Sequence, residues 1–329
     1  MVTRILRLSL FVFVFYFFSC VEKEKTFFDS LQPVPENSGF KMDAYWVWGG
    51  SVVKVDSTFH MFASRWPRKN KFPDDYFVES EIVHATSNSA KGPFDFQRVV
   101  IGERDSIFWD SNMAHNPTIH KIGDEFVLFY IGSDFTTLRE ESNRLIRRVG
   151  YATAKNINGP WKRSELPVLD EESNNPALFV ENDGSVKLMY RDAELLVKIA
   201  SADNFRGPYK VVNKNVWPTA KIEDFYFYKK DGKYHMICED NVGQLTGHER
   251  WGAHLVSENG VDNWQKFEPV VVYDHDIIFE NGDTLFCIRR ERPQLLIDNQ
   301  HITHLYNGVY NGRDSWCQPV EIAPPVKVE

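Results

Sequence analysis

Apolar and polar positions in this chain fall into short paired runs rather than a sustained helical period, and the pairing repeats. Five segments share one order: a polar or Pro-containing start, an apolar run, a turn, and a second apolar run. They open at Gly49-Gly50, Asn116-Pro117, Asn175-Pro176, Asp224-Phe225 and Arg292-Pro293. Asn182-Asp183-Gly184 and Lys230-Asp231-Gly232 stand between two such runs. These residue types accept the positive φ that tight β-hairpins require. A third apolar run follows at 82–87, 149–154 and 197–202, and each leads into a Gly-Pro-aromatic triplet. The triplets are Gly92-Pro93-Phe94, Gly159-Pro160-Trp161 and Gly207-Pro208-Tyr209. The fourth segment runs from His254 to Asn263-Trp264.

Successive units start 49 to 68 residues apart, room for one four-stranded antiparallel sheet each. Sheets repeated in this way and arranged radially make a β-propeller. The predicted fold is all-β, a five-bladed β-propeller over residues 39–329, with no separate second domain. The last unit has only 37 residues after Arg292. A strand from about residues 27–45 is therefore expected to complete it and close the ring.

The N-terminus reads differently. Arg4 and Arg7 precede an apolar run from Leu8 to Phe18, broken only by Ser9. The run is too short for a membrane-spanning helix and suits the apolar region of a secretory signal. It ends at Ser19-Cys20, which resembles a bacterial lipoprotein cleavage site. The alternatives are an ordinary signal peptide or a membrane anchor. On the lipoprotein reading, residues 1–19 are removed, Cys20 carries the lipid, and residues 20–38 tether the domain. The protein is then exported across the inner membrane and held in the cell envelope, at the periplasmic or outer-membrane face, with the lipid as its only membrane contact. Cys238, Cys287 and Cys317 remain. Their spacing is not that of a metal site, and they read as buried thiols, with one disulfide open to them.

The net charge of −8 and the lack of a basic run argue against a nucleic-acid partner. There is no Gly-x-Ser-x-Gly elbow, phosphate loop, His-Glu-x-x-His or dinucleotide fingerprint. No cofactor or catalytic metal is expected, although a structural cation in a central channel is compatible with the fold. Candidate chemistry lies at the starts of the innermost strands, which converge on that channel: Trp46, Trp48 and Gly49; His115 and Asn116; Asn174 and Asn175; Glu223 and Asp224; Glu291 and Arg292. Acids, amides, an imidazole, a guanidinium and indoles in one ring suit a sugar site. Glycoside hydrolysis needs two carboxyl groups, and several are available.

These repeats resemble the five-bladed glycoside hydrolases of family 43 and their relatives, among them arabinanases, arabinofuranosidases, xylosidases and, more distantly, invertases. The resemblance covers roughly residues 40–310. It implies an exo-acting hydrolase of plant or algal oligosaccharides, with Glu223 as general acid on the fourth inner strand. It also implies Asp residues on the first and third inner strands, where this chain has Gly49-Gly50 and Asn175-Pro176. The base then comes from elsewhere, or hydrolysis is lost and a non-catalytic carbohydrate-binding propeller remains.

Two acids are candidates for the base. Asp43 precedes the Trp46/Trp48 pair and reads either as a base over the funnel or as a turn acid. Glu291 reads either as a base or as the salt-bridge partner of a neighbouring Arg. Asp110, His115, Asn116, Asn175, Asp224 and Arg292 are candidate substrate contacts. Trp46 and Trp48 share one strand face, as stacking platforms or as core. Arg65, Arg191, Asp192, Glu239 and Asp240 follow second strands and read as residues reaching the rim or, each taken alone, as exposed end-of-strand charges.

Overall fold

The computed structural model describes residues 25–134, 136 and 145–329. The signal region and Cys20 lie outside the described residues. Among those described, no helix is long and apolar enough to cross a membrane. Four complete sheets follow one another. Blade 1 has β1 (Tyr45–Val55), β2 (Thr58–Pro67), β3 (Glu81–Ser87) and β4 (Asp95–Ile101). Blade 2 has β5 (Met113–Ile122), β6 (Glu125–Ser133), β7 (Arg148–Ala154) and β8 (Lys162–Arg163). Blade 3 has β9 (Asn174–Val180), β10 (Val186–Arg191), β11 (Val197–Ala202) and β12 (Lys210–Asn213). Blade 4 has β13 (Ile222–Lys230), β14 (Lys233–Asp240), β15 (Trp251–Ser257) and β16 (Gln265–Tyr273). A small hairpin, β17 (Asp276–Ile278) with β18 (Thr284–Phe286), intervenes. Blade 5 is then β19 (Arg289–Asp298), β20 (His301–Tyr310) and β21 (Ser315–Lys327).

All pairing within the blades is antiparallel between sequence neighbours, so the sequence's hairpin pattern carries directly into the ring. The expected closing strand is present in reduced form. Leu31 bridges Ile322, and Phe40 bridges Cys317, which places the N-terminal segment beside β21. It makes isolated bridges rather than a continuous fourth strand. Ser30 and Val34 are buried there, so packed chain begins ahead of residue 39. The Gly-Pro-aromatic triplets are equivalent in three dimensions as well. Gly92, Gly159 and Gly207 all have φ between +80° and +91°, and each is followed by a cis proline.

The core lies between blades. Phe62 and Ile82 of blade 1 pack with Leu128 and Tyr130 of blade 2. Phe129 and Val149 meet Leu188 and Tyr190 of blade 3. Met189 and Ile199 meet Phe225 and Met236 of blade 4. Tyr228 and Ile237 meet Leu295 and Leu305 of blade 5, and Leu296 and Tyr306 meet Val47 and Met61 of blade 1. Each apolar strand face is therefore buried against its neighbour. A Phe or Leu buried in this way contributes about 1.5–3 kcal/mol relative to exposure. Cys238, Cys287 and Cys317 are buried free thiols.

Candidate active site

The five inner strands share a local distortion that makes the site. Gly49, Asn116, Asn175, Asp224 and Arg292 all have left-handed backbones, with φ between +51° and +60°. Pairing slips at each: between Trp48 and Ser51, His115 and Thr118, Glu223 and Tyr226, Glu291 and Gln294, and opposite Asn174–Ala177 in blade 3. A bulge of this kind re-aims side chains and ends regular pairing. Gly, Asn and Asp enter this conformation readily, whereas Arg does so at a cost. Arg292 is held there by its contacts. Its side chain is fully buried. Nη2 donates to the Asn116 and Pro176 carbonyls at 3.1 and 3.2 Å, and Nη1 lies 3.6 Å from Asp224 Oδ1. One guanidinium on blade 5 therefore ties together blades 2, 3 and 4 across the channel.

Arg292 also crowds the place of a first-strand carboxylate. A Cβ on Gly49 would lie 3.0 Å from Arg292 Cγ and 3.4 Å from Asn116 Oδ1. A side chain at the position where the family resemblance implies a base would press on the arginine. On the third blade, Asn175 bridges its neighbours. It accepts from Asn116 Nδ2 at 3.0 Å and donates Nδ2 to Glu223 Oε2 at 3.4 Å.

Above this hub, blades 4 and 5 gather carboxyl and guanidinium groups. Glu223 pairs with Arg191 and accepts from Asn241 Nδ2 at 2.7 Å, and its side chain keeps 16% of its surface exposed. Arg250 Nη1 donates to both Glu239 and Glu291 at 2.8 Å, and Arg289 Nη1 donates to Glu291 at 3.1 Å. Burial pushes Asp224 up to about 6 against the pull of Arg292. It pushes Glu291 up to about 7 against Arg289 and Arg250. Glu239, wholly buried and close to the charges of Glu291, Glu223 and Asp224, is held well above the carboxylate range.

Carboxylate oxygens of Asp224, Glu239 and Glu291 come within 4.8 Å of one another, a set of hard oxygen donors. Arg250 already bridges two of these acids and Arg292 faces the third. Guanidinium charge thus stands directly beside this oxygen set.

His115 stands on the opposite wall. Its ring stacks on Tyr76 at 4.3 Å, and Tyr76 Oη accepts from Arg147 at 2.9 Å. Burial, with Arg292 and Arg147 nearby, keeps the imidazole well below its usual value and therefore neutral. Ser80 gives its only hydroxyl proton to the Ala114 carbonyl. The 2.8 Å contact between Ser80 Oγ and His115 Nδ1 is then donated by the ring, leaving the lone pair on Nε2.

Glu223, Asp224, Glu291, Arg292, Asn116, Asn175 and His115 thus come together around one channel mouth. Other candidates lie apart from it. Asp43 is exposed in the turn before β1. Asp110 is buried between Arg104, Arg163 and the Tyr130 hydroxyl, an internal ion pair on blade 2. Trp48 is buried, with its indole against Gly308 of blade 5. Trp46 is half-buried, donates to the Asn70 carbonyl and lies under Arg68.

The charges expected to be exposed at strand ends are buried instead. Arg191 and Glu239 join the cluster, Arg65 pairs with Glu81, Asp192 pairs with Lys198, and Asp240 accepts three backbone N–H groups from 244–246. Arg250, Asn241, Arg147 and Tyr76 carry no pattern of their own in the sequence: the first three lie next to strand ends, and Tyr76 opens a one-turn helix, α1 (Tyr76–Glu79).

No protein-family model matches the chain, and no curated protein matches it. Solved structures do. Zg3597, a family 117 glycoside hydrolase of the marine bacterium Zobellia galactanivorans, is 13% identical over 88% of each chain, with a TM-score of 0.62. CoXyl43, a family 43 β-xylosidase/α-arabinofuranosidase from a compost metagenome solved with xylotriose, is 14% identical over 88% of this chain and 95% of its own, with a TM-score of 0.61. The α-L-arabinofuranosidase PaAbf62A of Podospora anserina, solved with cellotriose, is 13% identical over 89% and 99%, with a TM-score of 0.58. At these identities the likeness is one of fold: a five-bladed propeller shared with glycoside hydrolases.

Proposed function

We propose that this protein is a glycoside hydrolase of oligosaccharides, working at the channel mouth with Glu223 and Glu291. The observation that carries the reading is the division of labour between these two carboxyls. Glu223 keeps an exposed edge while accepting from Arg191, Asn175 and Asn241, which leaves it open to substrate as a base or nucleophile. Glu291 is buried between Arg250 and Arg289, and burial pushes it up to about 7, the direction a general acid requires. The roles are therefore the reverse of those implied by family resemblance, in which Glu223 was the acid. Asp224, buried below, helps raise Glu291, and Asp224 and Glu239 hold the guanidinium frame.

The test is reducing-end release on a panel of plant and algal oligosaccharides by wild type, Glu223→Gln and Glu291→Gln. A general acid is dispensable when the leaving group needs no proton. Glu291→Gln should therefore keep turnover on activated aryl glycosides and lose it on natural linkages, whereas Glu223→Gln loses both. The opposite pattern would return the acid to Glu223. Gly49 and Asn175, neutral where carboxylates are expected, favour a second reading as a carbohydrate-binding propeller. Sugar binding without release by any of the three proteins would establish that one. Envelope anchoring through Cys20 belongs to the same proposal; it predicts fatty-acid labelling that Cys20→Ser abolishes.

A further inference from the structure

The channel mouth has a neighbour on the same end of the ring. A pocket of about 440 Å³ opens between blades 3 and 4, within the usual size of small-ligand sites. Its apolar wall is Leu195, Trp217 and Val242, and its polar wall is Asn215, Lys221 and Gln244. The pocket is tied to Glu223 through the backbone. Lys221 lies two residues before Glu223, about 7 Å along an extended chain. The Lys221 carbonyl accepts from Asn241 N at 3.0 Å, and the Asn241 side chain is the one that donates to Glu223. Gln244 Oε1 accepts from Lys221 N at 3.0 Å, which fixes the lip of the pocket to the start of β13.

Leu195 is the odd residue there. It has φ +65°, a backbone disfavoured for a branched side chain, and it remains 45% exposed. The Asp192 carboxylate enforces the turn by accepting from Glu194 N and Leu196 N at 2.9 Å. Gly or Asn would sit there without strain and without an exposed apolar side chain. Val242, across the pocket, is 50% exposed, and Trp217 stands partly buried on the blade 3–4 core. Strain of this kind collects where a side chain must be presented.

We infer that this pocket is a subsite for a second, neutral sugar unit of an oligosaccharide whose terminal unit lies at Glu223. A sugar ring has an apolar C–H face for Leu195, Trp217 and Val242, and hydroxyls for the amides of Asn215 and Gln244. Lys221 and Glu194 line the pocket with opposite charges, so the site carries no net preference for an acidic sugar. The inference rests on the reading of Glu223 as the sugar-processing centre.

The test uses full-length protein carrying Glu223→Gln, so that ligands bind without turnover. Calorimetry compares neutral plant and algal monosaccharides with their oligosaccharides of two and three units. Leu195→Gly and, separately, Val242→Asp should weaken oligosaccharide binding about tenfold, about 1.4 kcal/mol at 25 °C, and leave monosaccharide binding unchanged. Leu195→Gly relieves strain, so its thermal midpoint should hold or rise while affinity falls. Equal effects on short and long sugars, or none, would overturn the subsite. A length dependence seen only with acidic oligosaccharides would overturn its neutral character. Loss of turnover in wild type with length-dependent binding intact would remove the hydrolase reading and keep the subsite. Absence of any glycan binding would remove both.

Discussion

Blades 1–3 and blades 4–5 present the same backbone to the channel and different chemistry. The left-handed bulge carries Gly49, Asn116 and Asn175 on one side, and Asp224 and Arg292 on the other. The neutral side hydrogen-bonds from blade to blade around the channel, Asn116 to Asn175 and Asn175 to Glu223. The charged side draws in Glu223, Glu239, Glu291, Arg191, Arg250 and Arg289. Repetition of the fold supplies five equivalent places, and substitution at those places decides where a reaction can occur. A symmetric ring of five carboxylates could not all ionise, and a ring of five amides would have no acid or base.

The comparison can be broken most severely at its working end. Glu223→Gln should lower kcat/KM by about 10²–10⁴, the usual range for a general acid or base. Steady-state kinetics on whichever oligosaccharide the panel identifies would read it. Retention of wild-type turnover would end the assignment. Next comes the hub. Arg292→Met leaves Asp224 buried without its cation and should cost about 3–5 kcal/mol in chemical denaturation. The double variant with Asp224→Asn should recover much of that loss. If the single variant were neutral, the channel cross-link would not matter to the ring.

A pH titration sharpens the comparison further. Burial lowers His84, His120, His235 and His304 to about 4. Unfolded histidine takes a proton below about 6.5. The folded state refuses it until much lower pH, so stability is full above that value and lost as pH falls toward 4. Asp224 and Glu291 act in the opposite sense. They bind protons more tightly when folded, so their share of stability is lost as pH rises through about 6 and 7. Glu239 is raised with them, but His60, His115, His254 and His275 are lowered as well, so eight histidines outnumber three acids and the thermal midpoint should fall from pH 6.5 to 4. Asp224→Asn should steepen that fall. A midpoint that rises on acidification would contradict the histidine assignments. The smallest effect belongs to Asp43→Asn. Exposed and outside the cluster, it should leave turnover unchanged in the assay that Glu223→Gln abolishes.

The blades were legible because each rule is local. Hairpin turns, Gly-Pro-aromatic triplets and two-residue alternation all act within a few positions, and together they located every blade. Glu223 and Glu291 were legible because they adjoin those landmarks. Glu239 and Arg191 looked like exposed strand ends, and their burial depends on which blade lies beside them. Asp110 looked like a loop acid facing the funnel. Its partners Arg104 and Arg163 face it from loop and sheet edge, a relation that no spacing encodes. Trp46 and Trp48 share a strand face, but only the approach of Gly308 decides that Trp48 is packed from the far side.

The seam of the ring has a consequence for how the protein is made. Phe40 meets Cys317, and Leu31 meets Ile322, so the earliest residues of the propeller wait for nearly the last. Blades 1–4 can fold in turn as the chain emerges, each from neighbouring hairpins. Leu296 and Tyr306 can meet Val47 and Met61 once β19 and β20 emerge, but the seam cannot be sealed before β21 arrives. A ribosome stalled before Cys317 would hold a ring whose N-terminal segment has no strand to bridge.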